Sequence, residues 1–479
     1  MTPPKLIFGW TGFFILIGIA AFAGDKTAEI DAYLSKCQEY SLFQGSALVA
    51  EKGRILLEKG YGTANMEWQM PNAPDTRFRL ASVSKQFASM LAMILAEEKK
   101  LSLDDAITKY LTDYRKDTGD KVTIYHLMTH TSGLPDFDEN FWKMDCRLPF
   151  TKDEIVKKYC SGDLEFVPGS KFKYCNTGYY LLGLVLEKAG GESYGDLLKN
   201  KIFIPLGMKD TGLERQSMLV EKAAQGHYLG FQGYLKADYI DIDNAFSAGA
   251  IYSTVDDLYK WDQALYGDQL IKKKPREKYF TPLLKNYACG WSIGYYLPES
   301  GSDSLTVHYH SGNIQGFNTI INRIPEDSIT VILLANIGKA PLKEMTQAIF
   351  SIIYDKPYES PKKSIIPVLA ETVRKKGVVE GITQYHTLKK DSSDYYSFVE
   401  NELNMLGYLL LQLDLLDQAI EIFKLNIEMF PEAFNPYDSL GEAYMYKGTK
   451  DLAIKNYAKS LELNPENVNA VKMLNKIME

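Results

Sequence analysis

Segments with strand texture lie near residue 50 and again after residue 290, with a helical pattern between them. This separation limits the possible folds more than any other feature of the chain. Ala47–Ala50 and Ile55–Leu57 flank Lys52-Gly53, a turn signal, so Ser46 to about Glu58 reads as a hairpin. Trp291–Tyr296, Leu305–His310, Phe317–Ile324 and Ser328–Asn336 are short, rich in β-branched and aromatic residues, and read as successive antiparallel strands. Between them the apolar residues of Ser82–Glu98 recur at three- and four-residue spacing, as in a long helix. Asp153–Tyr159, Tyr179–Ala189, Ser193–Ile202 and Asp256–Tyr266 continue the helical pattern, the last opened by Thr254 as a cap. Glu344–Tyr354 reads as a closing helix. The expected fold is α+β, with a sheet assembled from both ends of the region and helices inserted.

A polar, proline-bearing stretch, residues 355–364, reads as a linker. Beyond it a 34-residue period appears. Leu406-Gly407 returns as Leu440-Gly441, Ala419-Ile420 as Ala453-Ile454, Phe423 as Tyr457, and Pro431 as Pro465. This pattern of small, aromatic and proline positions resembles the tetratricopeptide repeat, and implies an all-α solenoid over residues 365–479. Two helical pairs seldom suffice alone, so helices between Ile365 and Leu388, and a terminal one over Val468–Met478, are expected to cover the open faces.

Lys5, the apolar run Leu6–Ala23 and the Ala21-Phe22-Ala23 end have the form of a secretory leader over residues 1–23. An uncleaved membrane anchor is the alternative. Either way an exported chain is expected, periplasmic or secreted. The first folded domain would then span residues 24–354. A net charge of −7 without a basic cluster argues against nucleic acid. Five scattered cysteines do not make a disulfide scaffold, and pairing of Cys146 with Cys160 stays open. No cofactor is implied. His126 and His130 stand four apart, but lack an acidic residue between them, and no metal site is expected.

The chemistry rests on three short motifs. Ser82-Val83-Ser84-Lys85 opens the long apolar helix, so the lysine amine lies one turn from the serine hydroxyl and is placed to take its proton. Ser170–Lys173 and Ser360–Lys363 have the same spacing but lie on loop and linker segments. Tyr174-Cys175-Asn176 is the single Tyr-x-Asn among 32 tyrosines. A phenol near a cationic amine is expected to ionise partly and act as a base, while the Asn amide orients the lysine. His310-Ser311-Gly312 lies on a strand, where Gly312 would let substrate lie along the edge and the N–H of Asn313 would face an oxyanion.

In this order the three elements resemble the S-x-x-K, Y-x-N and [KH]-x-G motifs of the serine hydrolases that include class C β-lactamases, DD-peptidases and related esterases. Phe166–Gly169, Leu127–Leu134, Ser247–Gly249 and Ser253–Leu258 resemble further segments of that family, so the likeness runs from about Phe43 to Tyr354. It implies a β-lactamase/transpeptidase-like fold. It also implies Ser82 as nucleophile, Lys85 and Tyr174 as proton handlers, and Asn176, His310, Gly312 and Asn313 as substrate-binding residues. A small molecule or peptide would be the substrate. His310 stands where class C β-lactamases carry lysine, so weak or absent β-lactam turnover is expected.

Gly290-Trp291-Ser292-Ile293-Gly294 matches a nucleophile-elbow pattern, yet Tyr295–Pro298 after it is unsuited to a helix, and a strand is expected. His130 and Cys175 are read as structural. A different class of function is a penicillin-binding or sensor protein that holds a ligand while its repeats recruit a protein partner.

Overall fold

The computed structural model describes residues 15–230, 233–297 and 304–478. It divides into two compact units, with the boundary between Glu359 and Ser360. The start of the expected leader, residues 1–14, lies outside the described residues.

In the first unit six antiparallel strands form one sheet: β1 (Gly45–Glu51), β2 (Arg54–Tyr61), β3 (Ser292–Tyr296), β4 (Leu305–Ile314), β5 (Phe317–Ile324) and β6 (Ile329–Ala335). Their order is β3-β4-β5-β6-β1-β2, so the early hairpin joins the late strands where Ala47 faces Leu333 and Val49 faces Val331. β6 is buried along its whole length, as expected for a strand covered on both faces. Ser292 of the decoy motif lies on a strand, as its sequence context required.

Helix α1 (Ile15–Glu39) runs unbroken past Ala23, and Lys26 donates to the carbonyl of Ile353 at 2.5 Å. Helix α2 (Ser84–Glu97) is buried on nearly every side from Ser84 to Leu95. Helices α3 (Asn176–Gly190), α4 (Val255–Ala264) and α5 (Leu342–Ile353) follow. Thr254 caps α4 by accepting from Asp257 N–H. A buried ion pair fastens α4 to the sheet. Asp262 and Arg323 of β5 are 2.9 Å apart and at most 2% exposed, and Thr330 of β6 donates to the same carboxylate at 2.7 Å. All five cysteines are free and buried, so Cys146 and Cys160 are not bridged.

The second unit contains α6 (Ile366–Lys376), α7 (Val378–Asp391), α8 (Glu400–Gln412), α9 (Leu416–Met429), α10 (Phe434–Tyr446), α11 (Lys450–Leu463) and α12 (Val468–Met478). The 34-residue period is visible as packing. A Cβ on Gly407 would meet Phe423 at 2.3 Å, and one on Gly441 would meet Tyr457 at 3.0 Å. Each glycine admits the aromatic ring of its paired helix. Tyr408 donates to Glu442, one period along, at 2.8 Å. Leu369 and Val373 of α6, Tyr385 of α7 and Ala470 of α12 complete the same core.

Replacing Asp262 by Ala leaves the Arg323 guanidinium buried without its partner. Urea unfolding of the variant is expected to show a loss of about 3–5 kcal/mol. A loss below about 1 kcal/mol, the range of an exposed pair, would contradict the anchoring role of this contact.

Candidate active site

The residue before Ser82 decides where α2 begins. Ala81 has φ +49°, a left-handed conformation that costs a non-glycine residue about 1–3 kcal/mol. The regular helix therefore starts at Ser84, and Ser82 sits on a 3-10 turn, Ala81–Val83, at its mouth. This differs from the expected helix start at Ser82 but keeps the hydroxyl at the helix N-terminus. Strand β4 lies against that turn. Leu80 O accepts from the Thr319 hydroxyl at 2.7 Å, and a Cβ on Gly312 would stand 2.1 Å from the same carbonyl. The small residue expected to serve substrate is thus required first by the turn that carries Ser82.

Lys85 is fully buried one turn along. Its amine donates to three oxygens, each at 2.9 Å: Ser82 Oγ, Asn176 Oδ1 and the carbonyl of Ala248. Burial draws the amine down to about 7, against the carboxylate of Asp136, which raises it. The Tyr174 ring centroid lies 5.0 Å from the amine. Burial pushes the Tyr174 phenol up, while a hydrogen bond with the Ser82 side chain pulls it down. The expectation that a cationic amine would partly ionise this phenol is corrected here. The amine is itself near neutrality, and burial dominates the phenol.

Tyr174 is held by His130, whose ring lies 4.1 Å from it, centroid to centroid. His130 Nδ1 accepts from the Cys175 N–H at 3.0 Å, which leaves the ring proton on Nε2. No group of His, Cys, Asp or Glu able to hold a metal ion occurs among the described residues. His126 forms a capping box with Thr123 instead.

His310 is 5% exposed, and both of its nitrogens are engaged. Nδ1 lies 2.7 Å from the carbonyl of Ser311, which can only accept, so the proton is on Nδ1. Nε2 then accepts from the Tyr287 hydroxyl at 2.9 Å. Burial and the nearby Lys85 draw His310 down to about 3, so it is neutral. It buttresses the site and has no nitrogen left for a substrate. Asn313 differs. β3 begins opposite Tyr309, so β4 runs on beyond its neighbour, and Ser311 and Asn313 are exposed along that stretch. The Ile314–Phe317 pair closes a two-residue hairpin with β5. By strand alternation the Asn313 N–H points away from β5, toward the free edge.

A half-buried hydroxyl at a helix mouth, touching a near-neutral buried amine and a protonated phenol, is equipped for nucleophilic acyl transfer. The family model described as Beta-lactamase matches residues 30–352. The chain belongs to the beta-lactamase family of serine hydrolases. A tetratricopeptide-repeat model matches residues 435–467. Penicillin-binding protein 4* of Bacillus subtilis (strain 168) is 30% identical over 364 residues, covering 71% of this chain and 78% of its own. The octameric penicillin-binding protein homologue from Pyrococcus abyssi superposes with a TM-score of 0.60 at 26% identity, over 73% of this chain and 81% of that one. The D-amino acid amidase from Ochrobactrum anthropi SV3 in complex with L-phenylalanine gives 0.59 at 25% identity, over 69% and 99%.

This member of the beta-lactamase family brings Ser82 from the 3-10 turn, Lys85 from the start of α2, Tyr174 from the segment entering α3 and Asn176 from the first turn of α3 together. Sequence reasoning missed Asp136, Tyr287 and the Ala248 carbonyl. Ala248 stood inside a quoted segment, Ser247–Gly249, but a backbone acceptor leaves no mark in side-chain patterns. Tyr287 is one tyrosine among 32 with no motif around it.

Gly312→Ala forces Cβ into Leu80 O and displaces the turn carrying Ser82. The variant is expected to keep its fold and lose about 10²-fold in kcat/KM toward a short acyl ester. Wild-type turnover would show that the turn tolerates the shift.

Proposed function

We propose that this protein is an exported serine hydrolase that forms an acyl-enzyme on Ser82 and acts on a peptide, ester or amide. The observation carrying the reading is the contact of the buried Lys85 amine with both Ser82 Oγ and Asn176 Oδ1. In the proposed sequence Ser82 Oγ attacks the carbonyl carbon and its proton passes to Lys85 Nζ. The N–H groups of Ser82 and Asn313 receive the oxyanion. As the bond to the leaving group breaks, the Tyr174 hydroxyl gives it a proton and is reprotonated from Lys85. Water then attacks the ester, with the proton transfers reversed. Lys85 and Tyr174 titrate as a coupled pair.

The substrate class is inferred from what faces the edge of β4. The third motif supplies a neutral imidazole already bonded to Tyr287 and Ser311, so it adds no cation for a β-lactam carboxylate. Likeness to a D-amino acid amidase supports an amide or ester substrate. The Leu6–Ala23 run supports export, although no helix among the described residues is long and apolar enough to cross a membrane. The helical repeats are proposed to recruit a protein partner, which the tetratricopeptide match supports.

Ser82→Ala is expected to abolish labelling by a fluorophosphonate and to lower kcat/KM by at least about 10³-fold. A variant that labels as well as the wild type would refute the assignment. In the wild type, log kcat/KM should rise with pH through about 7, since a protonated Lys85 cannot accept the Ser82 proton. A pH-independent rate between 5 and 8 would exclude Lys85 as the base. Cephalosporin hydrolysis should stay far below that of a dedicated β-lactamase, and a comparable kcat/KM would overturn the substrate assignment.

A further inference from the structure

We propose that Asp136 is a positioning residue for the reaction: it sets the orientation of the Asn176 amide that receives the buried Lys85 amine. The inference rests on the serine-hydrolase reading above. Asp136 follows the Thr131–Leu134 loop and reaches the first turn of α3. One of its carboxylate oxygens accepts the Asn176 N–H at 2.6 Å and the Thr177 N–H at 3.1 Å. The other accepts from Asn176 Nδ2 at 3.1 Å.

A carboxylate oxygen only accepts, so the amide end facing it must be the NH2. The carbonyl end is thereby turned toward Lys85, where it receives the amine at 2.9 Å. Without that constraint the amide is free to rotate and present an NH2 to a lysine nitrogen, donor against donor. Asp136 therefore acts on the amine twice, through the amide it orients and through its charge.

The other titratable groups around Lys85 are uncharged. Tyr174 and Tyr179 are raised by burial, and Cys175 is raised to about 12. His130 is drawn well below its ordinary value and His310 to about 3, both by burial first and by Lys85 second. Asp136 raises Lys85 against the effect of burial.

The test is the pH dependence of kcat/KM for a short acyl ester, with thermal unfolding measured in parallel. Asp136→Asn removes the charge and allows the amide of residue 176 to turn. Its acid limb should move down by about one pH unit, the size expected for a unit charge acting across one side chain in a partly buried site. Its plateau should fall about tenfold, as one misdirected contact to the base predicts. Asp136→Ser keeps a cap for α3 without charge, and should move the limb in the same direction with little change in Tm. If Asp136 only caps the helix, the limb of both variants overlays the wild type whatever the change in Tm, and the proposal is wrong. Full turnover by Ser82→Ala would sink the serine-hydrolase reading itself. A Ser82-dependent enzyme with unmoved limbs would sink only the role of Asp136.

Discussion

The site depends on one lysine amine kept out of water and surrounded by three oxygens. Lys85 is a fully buried donor whose three acceptors come from separate places in the chain: the turn before its own helix, the start of α3, and the backbone at Ala248. Burial alone would leave such a group costly and loosely placed. The acceptors fix it, and the same low-polarity surroundings bring it close to neutrality. Much of the nearby architecture serves this placement. Gly290 has φ +79°, and a Cβ there would lie 2.8 Å from the backbone of Lys85 and Gln86. Gly312 lets β4 meet the turn before Ser82. Ala81, next to Ser82, and His130, against the Tyr174 ring, both have positive φ. A residue held in that conformation is kept there by a surrounding fold that leaves the chain no easier course.

Much of this architecture was legible in the residues. Short β-branched runs located the strands, and Phe317–Ile324 matched the observed strand at both ends. Helical periodicity found α2 and α3, though Ala81 shifted the regular start of α2 by two residues. The 153–159 segment is helical, with its second half, Val156–Cys160, wound more widely as a π-helix, which an apolar pattern does not distinguish. The repeat was readable because Gly407 and Gly441 face aromatic rings one helix away, and such packing fixes residue size at a set spacing. Ser82, Lys85, Tyr174 and Asn176 carried local motifs. His310 illustrates the limit. Its position could be read, but its charge and its freedom to bind depend on Tyr287, 23 residues away in sequence. Asp136 was equally silent, because its meaning lies in two N–H groups and an amide brought to it by folding.

The pairing of β1 with β6 has a consequence for how the chain is made. Val49 finds Val331 only after more than half of the polypeptide has been synthesised. Until then the early hairpin waits with one edge unpaired, a state that invites association with other chains. Non-local pairing of this kind also slows folding. The early hairpin cannot finish its sheet while the ribosome is still adding the middle helices. The last strands of the sheet to be made are the ones that close it.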